Sequence, residues 1–97
     1  MTDQTYNGWA NFPTWKVNLE QVANDRNNYF NLRCWLEAIL INKDSFNRSL
    51  KDVFADIIKR VVIHSDDHNY TNEFLKQVDW AEISESFISD YEEEQEQ

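Results

Sequence analysis

Apolar residues recur at three- and four-residue intervals along most of the chain, and no convincing strand pattern interrupts them. Phe12, Trp15, Leu19 and Val22 follow Asn11, whose side chain can accept from the first free N–H groups of a helix, and Pro13 fits a first turn. That spacing predicts a first helix over 12–24. The polar run Asn24-Asp25-Arg26-Asn27-Asn28 reads as a turn, after which Tyr29, Leu32, Trp35, Leu36, Ile39 and Leu40 set a second helix ending near Asn42. Phe46, Leu50, Val53, Phe54, Ile57, Ile58, Val61 and Val62 hold the helical rhythm for about five turns. They predict a third and longest helix, with Asp44 or Ser45 as its cap. His64-Ser65-Asp66-Asp67-His68-Asn69 breaks the rhythm as a polar loop. Tyr70, Phe74, Leu75 and Val78 suggest a short fourth helix opened by Asn69 or Thr71. Asp79 and Glu82 then form a capping box that starts a fifth helix, whose buried side is Ile83, Phe87, Ile88 and Tyr91. The fold class is all-α: a single-domain compact bundle of four or five short helices over residues 1–89, with an acidic tail, 90–97, expected to fray.

Composition narrows the picture. Ninety-seven residues make one domain with one core, and 41% apolar residues with 14 aromatic rings supply it. One glycine and one proline argue against an all-β architecture, which needs many turns. Trp15, Trp35 and Trp80 fall on apolar faces and are expected in the core. Cys34 is the only cysteine, so it forms no internal disulfide; inside Leu32-Arg33-Cys34-Trp35-Leu36 it is expected to be packed and inert, in a reducing compartment. No stretch approaches the roughly 20 apolar residues of a membrane span. The opening Met-Thr-Asp-Gln-Thr lacks the basic and apolar regions of a signal peptide, so the expected location is the cytoplasm.

Charge is distributed unevenly. Residues 1–63 carry seven acids and eight bases, for a net of +1, whereas residues 64–97 carry eleven acids against Lys76 alone, for a net of −10. A negative field of that kind repels nucleic acid and membrane surfaces and steers basic protein surfaces. Lys43, Arg48, Lys51, Lys59 and Arg60 are interleaved with Asp44, Asp52 and Asp56, the mixed pattern of an ordinary solvent face rather than a nucleic-acid surface.

The chemical inventory is short. His64 and His68 with Asp66 and Asp67 match no standard zinc spacing, and no metal or cofactor site is expected. No G-x-S-x-G turn and no glycine-rich nucleotide loop is present, so no catalytic residue is assigned. Asp79, Glu82 and Glu85 line one side of the fifth helix among polar neighbours. This reads either as a solvated face or as an acidic stripe for a partner. Trp9 either caps the end of the bundle over Trp15 or stands partly exposed as an interface anchor.

Two segments resemble a known family. Tyr6, Asn7, Gly8, Trp9, Asn11, Thr14 and Trp15 match an opening Tyr-Asn-Gly-Trp-x-Asn-x-x-Thr-Trp, and Val78, Asp79, Trp80 and Ile83 match a closing Val-Asx-Trp-x-x-Ile. Both patterns occur in a family of small uncharacterised proteins from bacteriophages, plasmids and bacterial genomes. The likeness covers about a quarter of the chain, and Pro13 departs from the polar residue usual there. By analogy, the resemblance implies a small protein aimed at host machinery in the bacterial cytoplasm.

Together these features lead to an expected function: a non-catalytic protein-binding module of a mobile element, inhibiting a bacterial defence complex of anti-CRISPR or anti-restriction type. Its partner would be a protein with a basic surface, without direct nucleic-acid or membrane contact. The expected contact residues are Tyr6, Trp9, Asp79, Glu82, Glu85 and Asp90. The alternative is a homodimerising structural module that uses leftover apolar surface on helix two or three, because Phe30 and Cys34 lie off the main stripe of helix two.

Overall fold

The computed structural model describes residues 7–65 and 69–95 as an all-α domain. Its α-helices are α1 (Phe12–Val17), α2 (Arg26–Ile41), α3 (Leu50–Ile63), α4 (Asn72–Lys76) and α5 (Trp80–Gln95). A π-helical turn, Asn18–Ala23, continues α1, and a 3-10 turn, Lys43–Ser45, follows α2. Each α-helix starts on a short polar side chain that accepts from the N–H three residues ahead. Asn11 takes Thr14, Asp25 takes Asn28, Ser49 takes Asp52, Thr71 takes Phe74 and Asp79 takes Glu82.

The cap of α3 differs from the sequence expectation. Asp44 and Ser45 are held in the 3-10 turn, where the Ser45 amide donates to the Asn42 carbonyl at 2.9 Å. Phe46 is extended, and Ser49 has the β-region backbone that a capping residue requires. The helix therefore begins at Leu50, and Phe46 stays outside it.

The first helix also departs from a uniform α pattern. Its buried positions are Pro13, Thr14, Val17, Gln21 and Val22, whereas Phe12 and Leu19 are exposed. Val17 and Val22 are five residues apart, a spacing that α periodicity turns away from one face. The wider turn, which includes a bond from the Asn24 amide to the Leu19 carbonyl at 3.1 Å, brings both inward. Asn28 Nδ2 donates to the Gln21 carbonyl at 2.9 Å, satisfying a buried group in the same turn. Phe12 instead meets Trp15 and, edge-on at 6.4 Å, Phe74 of α4.

The core forms where α3 packs on both α2 and α5. Phe54, Ile58 and Val62 of α3 are fully buried with Leu32 and Leu36 of α2 and Ile83 of α5. The Phe87 ring of α5 lies 5.2 Å from both Phe54 and Tyr29. Ser84 is also fully buried, and its hydroxyl donates to the Lys51 carbonyl at 2.8 Å, tying α5 to the first turn of α3.

α5 does not stop near residue 89. Tyr91 packs against the core edge beneath the Arg33 guanidinium, and its hydroxyl donates to Glu37 at 3.0 Å. Arg33 also holds Glu94 at 2.9 Å, so the acidic segment stays helical through Gln95.

The two candidate caps of α3 are separable by stability. Ser49→Ala should lower unfolding free energy by about 1 kcal/mol in urea denaturation, whereas Ser45→Ala should change it by less than about 0.5 kcal/mol. Equal losses would place the cap elsewhere.

Candidate functional site

The opening motif is fixed by backbone geometry and then by hydrogen bonds to the far end of the chain. Asn7 and Gly8 both have positive φ, 48° and 88°, which asparagine tolerates and glycine adopts freely. A Cβ at Gly8 would meet nothing within 4 Å, so the conformation rather than space calls for glycine there. The turn delivers the Ala10 amide to Glu82 Oε1 at 2.9 Å. Asn11 caps α1 with its oxygen and donates from Nδ2 to the Gln77 carbonyl at 2.8 Å. Thr14 lies between them, fully buried. Its hydroxyl donates to Asn11 Oδ1 at 2.6 Å and accepts from the Asp79 amide at 2.8 Å.

The capping box is therefore only half formed. Asp79 Oδ1 accepts from the Glu82 amide at 3.1 Å, as expected, but Glu82 does not reach back to the Asp79 amide. Thr14 already takes that donor, and Glu82 accepts from Ala10 instead. Thr14, from the opening pattern, thus bonds to Asp79 of the closing one, and Asn11 bonds to Gln77 two residues before it.

These contacts divide the expected binding residues. Asp79 and Glu82 hold the fold together at the start of α5. Trp9 is half-buried against the core and borders a shallow depression of about 360 Å³ with Gly8, Glu85 and Ser89. Tyr6 lies outside the described residues. Glu85 and Asp90 face solvent, as do Glu92 and Glu93. Glu85 meets Lys51 at 3.6 Å with both side chains largely exposed, a pairing that water screens strongly.

A second surface lies on α2 and α3. The expectation that Trp35 is core and Cys34 packed does not hold: Trp35 is 52% exposed and Cys34 lies on the outer side of α2. Trp35, Phe46, Val53, Ile57 and Val61 line a groove of about 760 Å³, with Arg48 and Asp56 paired at 2.6 Å on its rim. Helical spacing alone assigned Trp35 to the inside, whereas Ile57 does pack against the core while bordering the groove. The sequence sign of this surface was that α2 carries apolar residues on more than one side.

The ionisable groups with shifted protonation lie in surface ties between elements. Glu20 is held below the ordinary carboxylate range, first by the Lys16 ammonium and then by the Tyr70 hydroxyl, which donates to it at 2.6 Å. Burial, together with that carboxylate, pushes Tyr70 up. Among the described residues no group of three or more His, Cys, Asp or Glu side chains is placed to hold a metal ion. His64 is exposed at the end of α3, and Asp66, Asp67 and His68 lie outside the described residues.

Replacing the Glu82 acceptor should loosen the opening turn without unfolding the bundle. Glu82→Ala should cost about 1–2 kcal/mol, the worth of a partly exposed charge-assisted bond. It should also speed hydrogen exchange at the Ala10 amide, and Glu82→Gln should retain much of the protection. An Ala10 amide that exchanges equally fast in all three proteins would remove this tie.

Among the described residues no helix is long and apolar enough to cross a membrane. The chain matches no protein-family profile, no curated protein and no solved structure.

Proposed function

We propose that this protein is a non-catalytic protein-binding module that docks the solvent-facing acids of α5 on a basic surface of its partner. The observation that carries the reading is the single sign of that helix. α5 bears six carboxylates and no base, and Glu85, Glu92 and Glu93 fall on one side of it, with Asp90 at the flank. Glu82 and Glu94 are engaged within the molecule, Glu85 has only the water-screened Lys51 at 3.6 Å, and Asp90, Glu92 and Glu93 face solvent, so these four are open to a partner.

The physical support is electrostatic and geometric. The helix fixes the backbone that carries these charges, so on meeting a complementary surface only side-chain freedom is lost. A one-signed face accelerates encounter and selects against acidic surfaces more than it adds to affinity. The contact set becomes Glu85, Asp90, Glu92 and Glu93, with Trp9, Asp79 and Glu82 holding the helix in place. In its specific form the proposal makes the basic surface a nucleic-acid groove of a bacterial defence complex, occluded by this domain. That form draws on the resemblance to mobile-element proteins.

The test is capture of a stoichiometric partner from bacterial lysate in the presence of nuclease, followed by association kinetics with the purified pair. Charge reversal at Glu85, Glu92 and Glu93 together should slow association by about tenfold or more at low salt and flatten its salt dependence. Unchanged association at low salt would overturn the acidic-face reading.

A further inference from the structure

Three rows of side chains run along α3, each at four-residue spacing. Phe54, Ile58 and Val62 are fully buried, whereas Asp56, Arg60 and His64 are exposed. Between them lie Val53, Ile57 and Val61, half-buried, over about 12 Å of helix. This middle row is apolar and lines the groove of about 760 Å³. Trp35 of α2 and Phe46, on the extended segment before α3, complete its apolar lining. Both rings are partly open to water, Phe46 at 40%. A concavity with walls from three segments, apolar within and polar at its edge, has the size and character of a small-molecule site.

We propose that the groove between α2 and α3 binds a small amphipathic carboxylate, a medium-length alkyl body with one anionic head. The body lies along Val53, Ile57 and Val61, and the head meets Arg60. The groove shares no lining residue with α5, so this site is independent of the acidic face of that helix.

Charge selects the head. The chain carries −9 overall, yet the edge of this groove is cationic. Asp56 is the one carboxylate that lines it among the described residues, and Arg48 holds Asp56 at 2.6 Å, so the two together present no net charge. Arg60 also lines the groove and makes no ion pair among the described residues. His64 stands one turn further along the same row, at the end of α3. One unpaired guanidinium matches one monoanion, and a planar carboxylate fits its fork with two parallel hydrogen bonds.

The apolar body supplies what the charge alone lacks. A lone carboxylate on an exposed arginine gains little, because water screens the pair. A body laid in the groove removes its own surface and the Trp35 and Phe46 rings from water, and it displaces water from the ion pair. A cationic amphiphile would bury the same surface but would set like charge against Arg60.

The test is titration of the full chain with decanoate, read by calorimetry and by methyl chemical shifts. Binding should saturate at one molecule per chain, with the largest shifts at Val53, Ile57 and Val61. Decylammonium, with the same body and the opposite head, should bind at least about tenfold more weakly. Arg60→Glu alters an exposed side chain and should leave the thermal melt in place. It should weaken decanoate by about tenfold or more and strengthen decylammonium. Trp35→Ala should weaken both probes, and Trp35→Phe should restore much of the binding. Equal affinity for the two probes would overturn the proposal, as would an Arg60→Glu variant that binds decanoate like the parent. Shifts centred on Phe30 and Ile41, or binding that never saturates, would also overturn it. The same holds for capture on phosphatidylglycerol vesicles without binding of free decanoate, and for a dimer in sedimentation equilibrium that excludes decanoate.

Discussion

The hydroxyl of Thr14 sits where α1 meets the start of α5, and the arrangement around it requires every one of its bonds to be made. It is fully buried, donates to Asn11 and accepts the amide that opens α5. Asn11 in turn caps α1 and holds the Gln77 carbonyl. One polar chain thus sets both the first turn of α1 and the start of α5. A buried donor left without a partner costs more than a made bond gains, so the position tolerates little change. The positive φ values at Asn7 and Gly8 are the local condition for it, since they aim the Ala10 amide at Glu82.

From that anchor the bundle closes around α3. The π turn after α1 lets Val17 and Val22 share the core, and Asn28 satisfies the carbonyl that the turn leaves facing inward. Ser84, small and hydrogen-bonded, joins α5 to the start of α3, and Phe87 fills the space between Phe54 and Tyr29. At the far end of α5, Arg33 between Tyr91 and Glu94 keeps the acidic segment helical, which gives its charges a rigid carrier.

The acids of α5 and its cap therefore serve two ends. Asp79, Glu82 and Glu94 make bonds within the molecule, whereas Asp90, Glu92 and Glu93 face solvent and Glu85 has only a water-screened pairing with Lys51. The apolar residues of α2 divide in the same way. Leu32, Leu36 and Ile39 build the core, whereas Phe30, Cys34, Ala38 and Ile41 face outward beside Trp35. The molecule thus has a charged face on α5 and an apolar groove between α2 and α3.

The helical class, the approximate place of each helix and the polarity of charge along the chain were all legible in the residues alone. Those properties follow from spacing, local capping and composition, which act over one or two turns. Asn11, Thr14 and Asp79 also stood out as members of recurring patterns, without revealing that Thr14 and Asp79 bond to one another across 65 residues. Which side of each helix is inside was settled by packing. Trp35 and Phe46 look like core by periodicity and lie at an open groove, because α3 needs just one apolar side of α2. Packing likewise settled that Glu82 holds the opening turn while Glu85 faces water. Two residues of one type, three positions apart on one helix, have equal local propensity. They part company only when a distant amide arrives beside one of them, and that amide is brought there by the fold.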